Sequence, residues 1–188
     1  MLCLMQVLLA PWRDRRLGPE SIREVVFGVE DGLVQNMTLI AGMVGATISE
    51  GIIVLAGVVN AVAGVLSMSM GTFLSTQAER DAVRATGRGV VVPRSPIRDA
   101  LVMAAAYAIG ALLPLAPFAV PFLGRSTAVV VAVGLTALGL FGLGVLKATV
   151  SGQARLRTGL QLLVLASAAG VGGYLIGVVA RSLFGLSG

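Results

Sequence analysis

Residues 20–48 read ESIREVVFGVEDGLVQNMTLIAGMVGATI. From Val25 to Ile48 the run is apolar and long enough to span a bilayer, yet Glu30, Asp31, Gln35 and Asn36 interrupt it. A carboxylate at bilayer depth costs roughly 2.5–3.5 kcal/mol on insertion scales, so it is kept where it pairs, relays protons or meets an ion. At about 100° per residue, positions 20, 24 and 31 fall within about 40° of one another on a helix. Glu20, Glu24 and Asp31 thus form an acidic stripe that runs inward from the membrane surface. The alternative is a helix that begins at Gly32 and leaves all three acids in water.

Working outward, the composition belongs to a bilayer. The 188 residues are 56% hydrophobic and 12% charged, with a mean hydropathy of +0.94. A soluble domain carries about 25% charged residues. Four stretches hold no charge at all: Gly51 to Ala78, Ala100 to Gly124, Ser126 to Leu146 and Thr158 to Ala180. Each exceeds the roughly 20 residues that a spanning helix needs. With the segment described above, they predict an all-α membrane protein of five transmembrane helices over 20–48, 51–84, 97–122, 126–148 and 157–181. These helices form one domain over residues 20–182, preceded by a basic segment over 1–19. Helix 2 is expected to run on past the membrane, because Gln77-Ala78-Glu79-Arg80 offers no break. Pro114, Pro117 and Pro121 predict a kinked or broken outer end for helix 3. Gly28 and Gly32 make a GxxxG pair that permits close approach of another helix, and two first helices of a dimer would use it. Gly134, Gly139, Gly142 and Gly144 in helix 4, and Gly173 with Gly177 in helix 5, fit tight packing in the same way.

The charge distribution fixes the expected orientation. Twelve of the 14 basic residues fall before helix 1, between helices 2 and 3, or between helices 4 and 5; only Arg125 and Arg181 lie on the other side. The positive-inside rule makes the arginine-rich side cytoplasmic, with the N-terminus inside and the C-terminus outside. A pI of about 10.7 could signal nucleic acid. Here the charge follows topology, and no nucleic-acid partner is expected.

Residue counts remove several chemistries. With no His, neither an imidazole zinc site nor a Ser-His-Asp triad can form. The single Cys3 cannot make an internal disulfide. No GxxxxGK[ST] pattern is present for ATP. The chain is not expected to be an enzyme or to hold a resident cofactor. Ligands at membrane depth come from helices 1 and 2. Helix 1 offers Asp31, Gln35 and Asn36; helix 2 offers Asn60, Met68 and Met70. Oxygen donors suit hard or borderline divalent ions, and a thioether adds preference for softer ones. The set fits Fe²⁺ or Mn²⁺ better than Ca²⁺ or Mg²⁺, which want oxygen alone.

The same residues resemble a known family. Arg23-Glu24-Val25-Val26-Phe27-Gly28-Val29-Glu30-Asp31-Gly32-Leu33-Val34 and Ala41-Gly42-Met43-Val44-Gly45-Ala46 resemble the first helix of the vacuolar iron transporter family. Ala63-Gly64-Val65-Leu66-Ser67-Met68-Ser69-Met70-Gly71 resembles its second, and Gly110-Ala111-Leu112-Leu113-Pro114-Leu115-Ala116-Pro117-Phe118 its third. Leu143-Gly144-Val145-Leu146-Lys147 and Gly173-Tyr174-Leu175-Ile176-Gly177 match the fourth and fifth. The resemblance covers about residues 20–180. It implies a five-helix homodimer with its pathway between the two first helices. It also implies export of Fe²⁺, often with Mn²⁺, from the cytosol in exchange for protons. The family's intramembrane aspartate matches Asp31, its helix-2 methionine Met68, and its acidic cytosolic mouth Glu20 and Glu24, with Glu30 as an added carboxylate. The chain departs from the pattern in three places. Asn60 and Thr72 stand where relatives often carry acids. The connector between helices 2 and 3 is also too short for the glutamate-rich cytosolic domain that many members insert there, and Glu79 and Asp81 are its only trace.

The expected metal sites are therefore Asp31, Met68, Glu24, Glu20 and Glu30, with Gln35, Asn36, Asn60 and Met70 as pathway-lining candidates. The partners are the lipid bilayer, divalent metal ions and a second copy of the chain. Two other classes of function stay open. One is a proton-coupled antiporter of organic cations, which the 5% aromatic content disfavours. The other is a non-transporting membrane subunit that assembles with a ferritin-like protein. The high Ala, Gly, Val and Arg usage suits a bacterium and hence the plasma membrane.

Overall fold

The computed structural model describes residues 20–86, 95–120 and 122–185, with Glu20 and Thr86 described by backbone alone. The expected basic segment over 1–19, the glycine- and proline-containing connector around Gly87, Gly89 and Pro93, and Pro121 lie outside the described residues. Among the described residues five α-helices follow one another: α1 (Glu20–Gly45), α2 (Glu50–Thr86), α3 (Pro96–Leu115), α4 (Arg125–Ser151) and α5 (Arg155–Phe184), with a 3-10 turn over Ala116–Ala119. Among the described residues, four helices, α2, α4, α5 and α3 with its 3-10 turn, are long and apolar enough to cross a membrane. Their outward faces carry Leu55, Val59, Leu66, Val130, Leu138, Val164, Leu165 and Ile176, all exposed. Water-soluble domains rarely expose large contiguous apolar patches. The chain is an all-α integral membrane protein.

α1 lies against α3 and α5, α2 against α3, and α4 against α5. Small residues set the closest of these contacts. A Cβ built at Gly32 would stand 2.7 Å from Ala111 N, and one at Gly28 would stand 2.9 Å from the Ala106 Cβ. The GxxxG pair of α1 is thus used against α3 of the same chain, which corrects the expectation that it faces a partner. Gly110 completes the contact from the α3 side, where a Cβ would meet Leu33 N at 3.1 Å. Gly173 and Gly177 of α5 meet α1 at Thr38 and Gly42. In α4, Gly139 and Gly144 are contact positions, whereas Gly134 and Gly142 face open space and do not serve the tight packing expected of them.

Helix ends differ from the expected bounds for local reasons. α1 stops at Gly45, not at Ile48, because Thr47 takes the left-handed conformation (φ 59°). Thr47 N donates to Val44 O and Ile48 N to Met43 O, at 3.0 Å each. This pair of bonds is the Schellman closure, which usually places Gly at that position. α3 begins where Ser95 caps it, accepting from Arg98 N, with Pro96 in the first turn. It carries Pro114 inside its last turn and tightens into the 3-10 turn at Ala116 rather than continuing to 122. α2 runs 37 residues without a break, about 55 Å at 1.5 Å per residue. A hydrocarbon core of about 30 Å cannot contain it.

Candidate functional site

A cavity of about 430 Å³ opens between the first turns of α1, the second half of α2 and the start of α3. Along α2 its wall is Met68, Thr72, Ser75 and Glu79, spaced four, three and four residues apart and so on one face. Gly71 leaves the wall open beside them, and Ser67 and Thr76 flank the row. α1 contributes Glu24, Phe27 and Arg23, and α3 contributes Met103. Glu24 is only 4% exposed, so its carboxylate belongs to the interior of this vestibule. Met68 also packs against the cluster of Ala61, Tyr107 and Ala111, which places it at the inner end of the cavity.

Deeper along α1, the polar residues divide by face. Asn36 is fully buried. Its amide donates to Ala111 O at 2.6 Å and to Gly57 O at 3.4 Å. Its carbonyl oxygen accepts from the amide of Asn60 at 2.9 Å. One side chain thereby ties α1 to both α2 and α3. Gln35, beside it, is exposed yet also reaches α3, accepting a hydrogen bond from the buried Tyr107 hydroxyl. Tyr107 reaches it across Gly64, whose missing side chain makes room for the phenol ring. Asp31 and Glu30 are partly buried, one turn before Gln35.

The residues expected from sequence are thus brought together only in part. Glu24 and Met68 share the vestibule. Asp31 and Glu30 are partly buried beside the exposed Phe27, which also lines the vestibule, and Gln35 bonds Tyr107 of α3. Asn36 and Asn60 bond to each other within the bundle. Met70 is 63% exposed and stands outside the cavity. The side chain of Glu20 lies outside the described residues. Among the described residues, no three Asp, Glu or Cys side chains form a group that could hold a metal ion. Sequence reasoning missed Met103, Tyr107 and Glu79 as members of these sites. Only Glu79 had a readable signal, its place in the four-three-four row that starts at Met68.

Comparison with known proteins fits this geometry. The model of the VIT family matches residues 22–90 and 86–178, which together cover most of the chain. The chain belongs to the VIT family. It is 32% identical to vacuolar iron transporter homolog 1 of Oryza sativa subsp. japonica over 89% of this chain and 75% of the relative. It is 24% identical to vacuolar iron transporter 1 of Tulipa gesneriana over 87% of this chain and 89% of that protein. To vacuolar iron transporter homolog 5 of rice it is 38% identical, over 64% of this chain. All three relatives are named as transporters, and none as an enzyme.

Proposed function

We propose that this VIT-family protein exports Fe²⁺, and Mn²⁺ as a second substrate, from the cytosol in exchange for protons. It works as a homodimer of five spanning helices, with its N-terminus in the cytosol. The observation that carries the reading is the uncovered face of α1. Arg23 and Phe27 are exposed there, and Glu30 and Asp31 are partly covered. Lipid is a poor neighbour for that stripe, because a charge at depth costs several kcal/mol. A second α1 packed against it would enclose the acids between two chains and supply the donors that one chain lacks. Isologous pairing of this kind is the commonest arrangement of homo-oligomers.

The orientation rests on charge. Arg80, Arg84, Arg98, Lys147, Arg155 and Arg157 lie at the vestibule end of their helices, and Arg125 and Arg181 at the other. The vestibule therefore opens to the cytosol. The plasma membrane of a bacterium is the proposed location; the relatives' names place them at the vacuole. The test is metal uptake into proteoliposomes with an imposed pH gradient, run in parallel with Fe²⁺, Mn²⁺ and Ca²⁺. Uptake of Fe²⁺ and Mn²⁺ with little Ca²⁺ is expected. Equal uptake of all three would remove the selectivity. No uptake of any would favour a non-transporting subunit.

A further inference from the structure

Resting on the metal-export reading, we propose that Tyr107 is the gate residue of the vestibule. Its ring closes the floor, and its bond to Gln35 ties that closure to the helix that carries Asp31. Tyr107 is fully buried. On α3 it lies one turn deeper than Met103 of the vestibule wall and one turn short of Ala111, whose carbonyl accepts from Asn36. The matching position on α2 is Gly64, one turn deeper than Met68 of the wall and one turn short of Asn60, which donates to Asn36. A Cβ at Gly64 would overlap the hydroxyl end of the Tyr107 ring. The ring thus crosses from α3 into a notch of α2. Its layer stands about 6 Å from the last wall residues on one side and about 6 Å from the Asn36 bonds on the other, at 1.5 Å per residue.

Beneath the ring the three helices are tied together. The Asn36 amide bonds Ala111 O and Gly57 O, and its carbonyl oxygen accepts from Asn60. A Cβ at Gly57 would press on the Leu115 side chain. Ala61 and Ala111 pack against the ring itself. An ion that leaves the vestibule therefore has to pass on the α1 side, where Asp31 stands. The hydroxyl is held as firmly as the ring. A buried phenol with no partner is destabilising, and this one donates to Gln35 Oε1. Gln35 stands four residues after Asp31, so the two side chains are neighbours on α1. A change of charge or occupant at Asp31 is thus felt at the group that pins the ring.

The experiment reads the seal without transport. In full-length protein carrying Cys3→Ser, Ala61→Cys places a thiol beneath the ring, at a position only 5% exposed. A membrane-impermeant cationic methanethiosulfonate is added to inverted membrane vesicles. Ser75→Cys, on the vestibule wall, is the control that marks the accessible side. With Tyr107 intact, Ala61→Cys should label roughly tenfold or more slowly than Ser75→Cys, because the reaction needs the floor to open. Tyr107→Ala should remove most of that difference. Tyr107→Leu, which fills part of the space but cannot reach Gly64, should do the same in smaller measure, and it serves if Tyr107→Ala does not fold. Tyr107→Phe keeps the ring and loses only the bond to Gln35, so it should raise labelling several-fold. Gln35→Leu removes the same bond from the other side. The double variant should label no faster than either single one, whereas a merely structural Tyr107 would give additive effects. Ala61→Cys that labels as fast as Ser75→Cys with Tyr107 intact would overturn the proposal. So would unchanged labelling in both Tyr107→Ala and Tyr107→Leu. If labelling follows this pattern while the wild type moves no metal, the seal stands and the export reading falls.

Discussion

A carboxylate and an amide five residues apart on one helix do different jobs, and the difference lies in what each side chain faces. Asp31 and Asn36 both interrupt the same apolar run. Asn36 is enclosed and spends its hydrogen-bonding groups on Ala111, Gly57 and Asn60. Asn36→Leu leaves those partners unpaired inside the bundle. It should destabilise the protein by about 1–2 kcal/mol, above the ~0.6 kcal/mol average for a single hydrogen bond between membrane helices. Asn60→Leu breaks only one of these bonds and should cost less. Thermal unfolding in detergent, followed by loss of the monodisperse species, measures both. Asp31 has the opposite profile. It is only partly covered, on the side of α1 that remains open. Asp31→Asn removes the charge that draws a divalent ion and lowers the cost of insertion. That variant should fold as well as the wild type and transport nothing. A folded Asp31→Asn protein with normal uptake would take Asp31 off the path. The sequence placed both residues at depth but could not separate them, because a polar side chain that lines a pathway and one that bonds a neighbouring backbone carbonyl read alike in one dimension.

At the scale of the helix, α1 has two working faces, and its glycines identify them. Gly28 and Gly32 face α3, where backbone atoms of Tyr107 and Ala111 would meet any added Cβ. Gly42 faces α5. Phe27 is exposed on the remaining side, whereas Gln35, seven residues from both Gly28 and Gly42, shares their face and accepts from Tyr107 of α3. If two copies meet on the Phe27 side, disulfides should form between subunits from Phe27→Cys. Gly28→Cys should form none and should lower stability, since its side chain has no room. Oxidative crosslinking in membranes, read by gel mobility, decides this. Efficient crosslinks from α4 or α5 in place of α1 would move the interface. Four of these helices were legible from their uncharged runs, because a spanning segment must be long and apolar, and α1 from an apolar run that Glu30 and Asp31 interrupt. Which glycine serves which contact was not legible, since small residues lie on every face of these helices. The end of α1 was hidden for another reason. The left-handed turn that closes it falls on Thr47, a β-branched residue, and not on one of the glycines that mark such turns elsewhere in the chain, Gly152 and Gly185.

For the whole molecule the question is how metal movement couples to an energy source without a nucleotide site. The basic residues were already sorted by side in the sequence, so an expected orientation could be drawn before any contact was known. The convergence of α1, α2 and α3 on one vestibule was not, because it depends on long-range packing between residues 24 to 80 positions apart. Under the proposed function the ion passes from the vestibule to Asp31, which lies about 10 Å deeper along α1 than Glu24 at 1.5 Å per residue. A carboxylate that takes a divalent ion must first give up any proton it carries, so metal binding and proton release are linked at such a site. If those protons enter from outside and leave on the cytosolic side, metal export is driven by the proton gradient. In vesicles loaded with a pH-sensitive dye, Fe²⁺ or Mn²⁺ movement should be accompanied by proton flux in the opposite direction. The flux should vanish in Asp31→Asn. With the membrane potential clamped at zero, collapsing the pH gradient should slow metal movement to the passive rate set by its own gradient, and reversing the pH gradient should drive metal the other way. Metal movement that is indifferent to the pH gradient and carries no protons would make the protein a channel, whatever its vestibule binds.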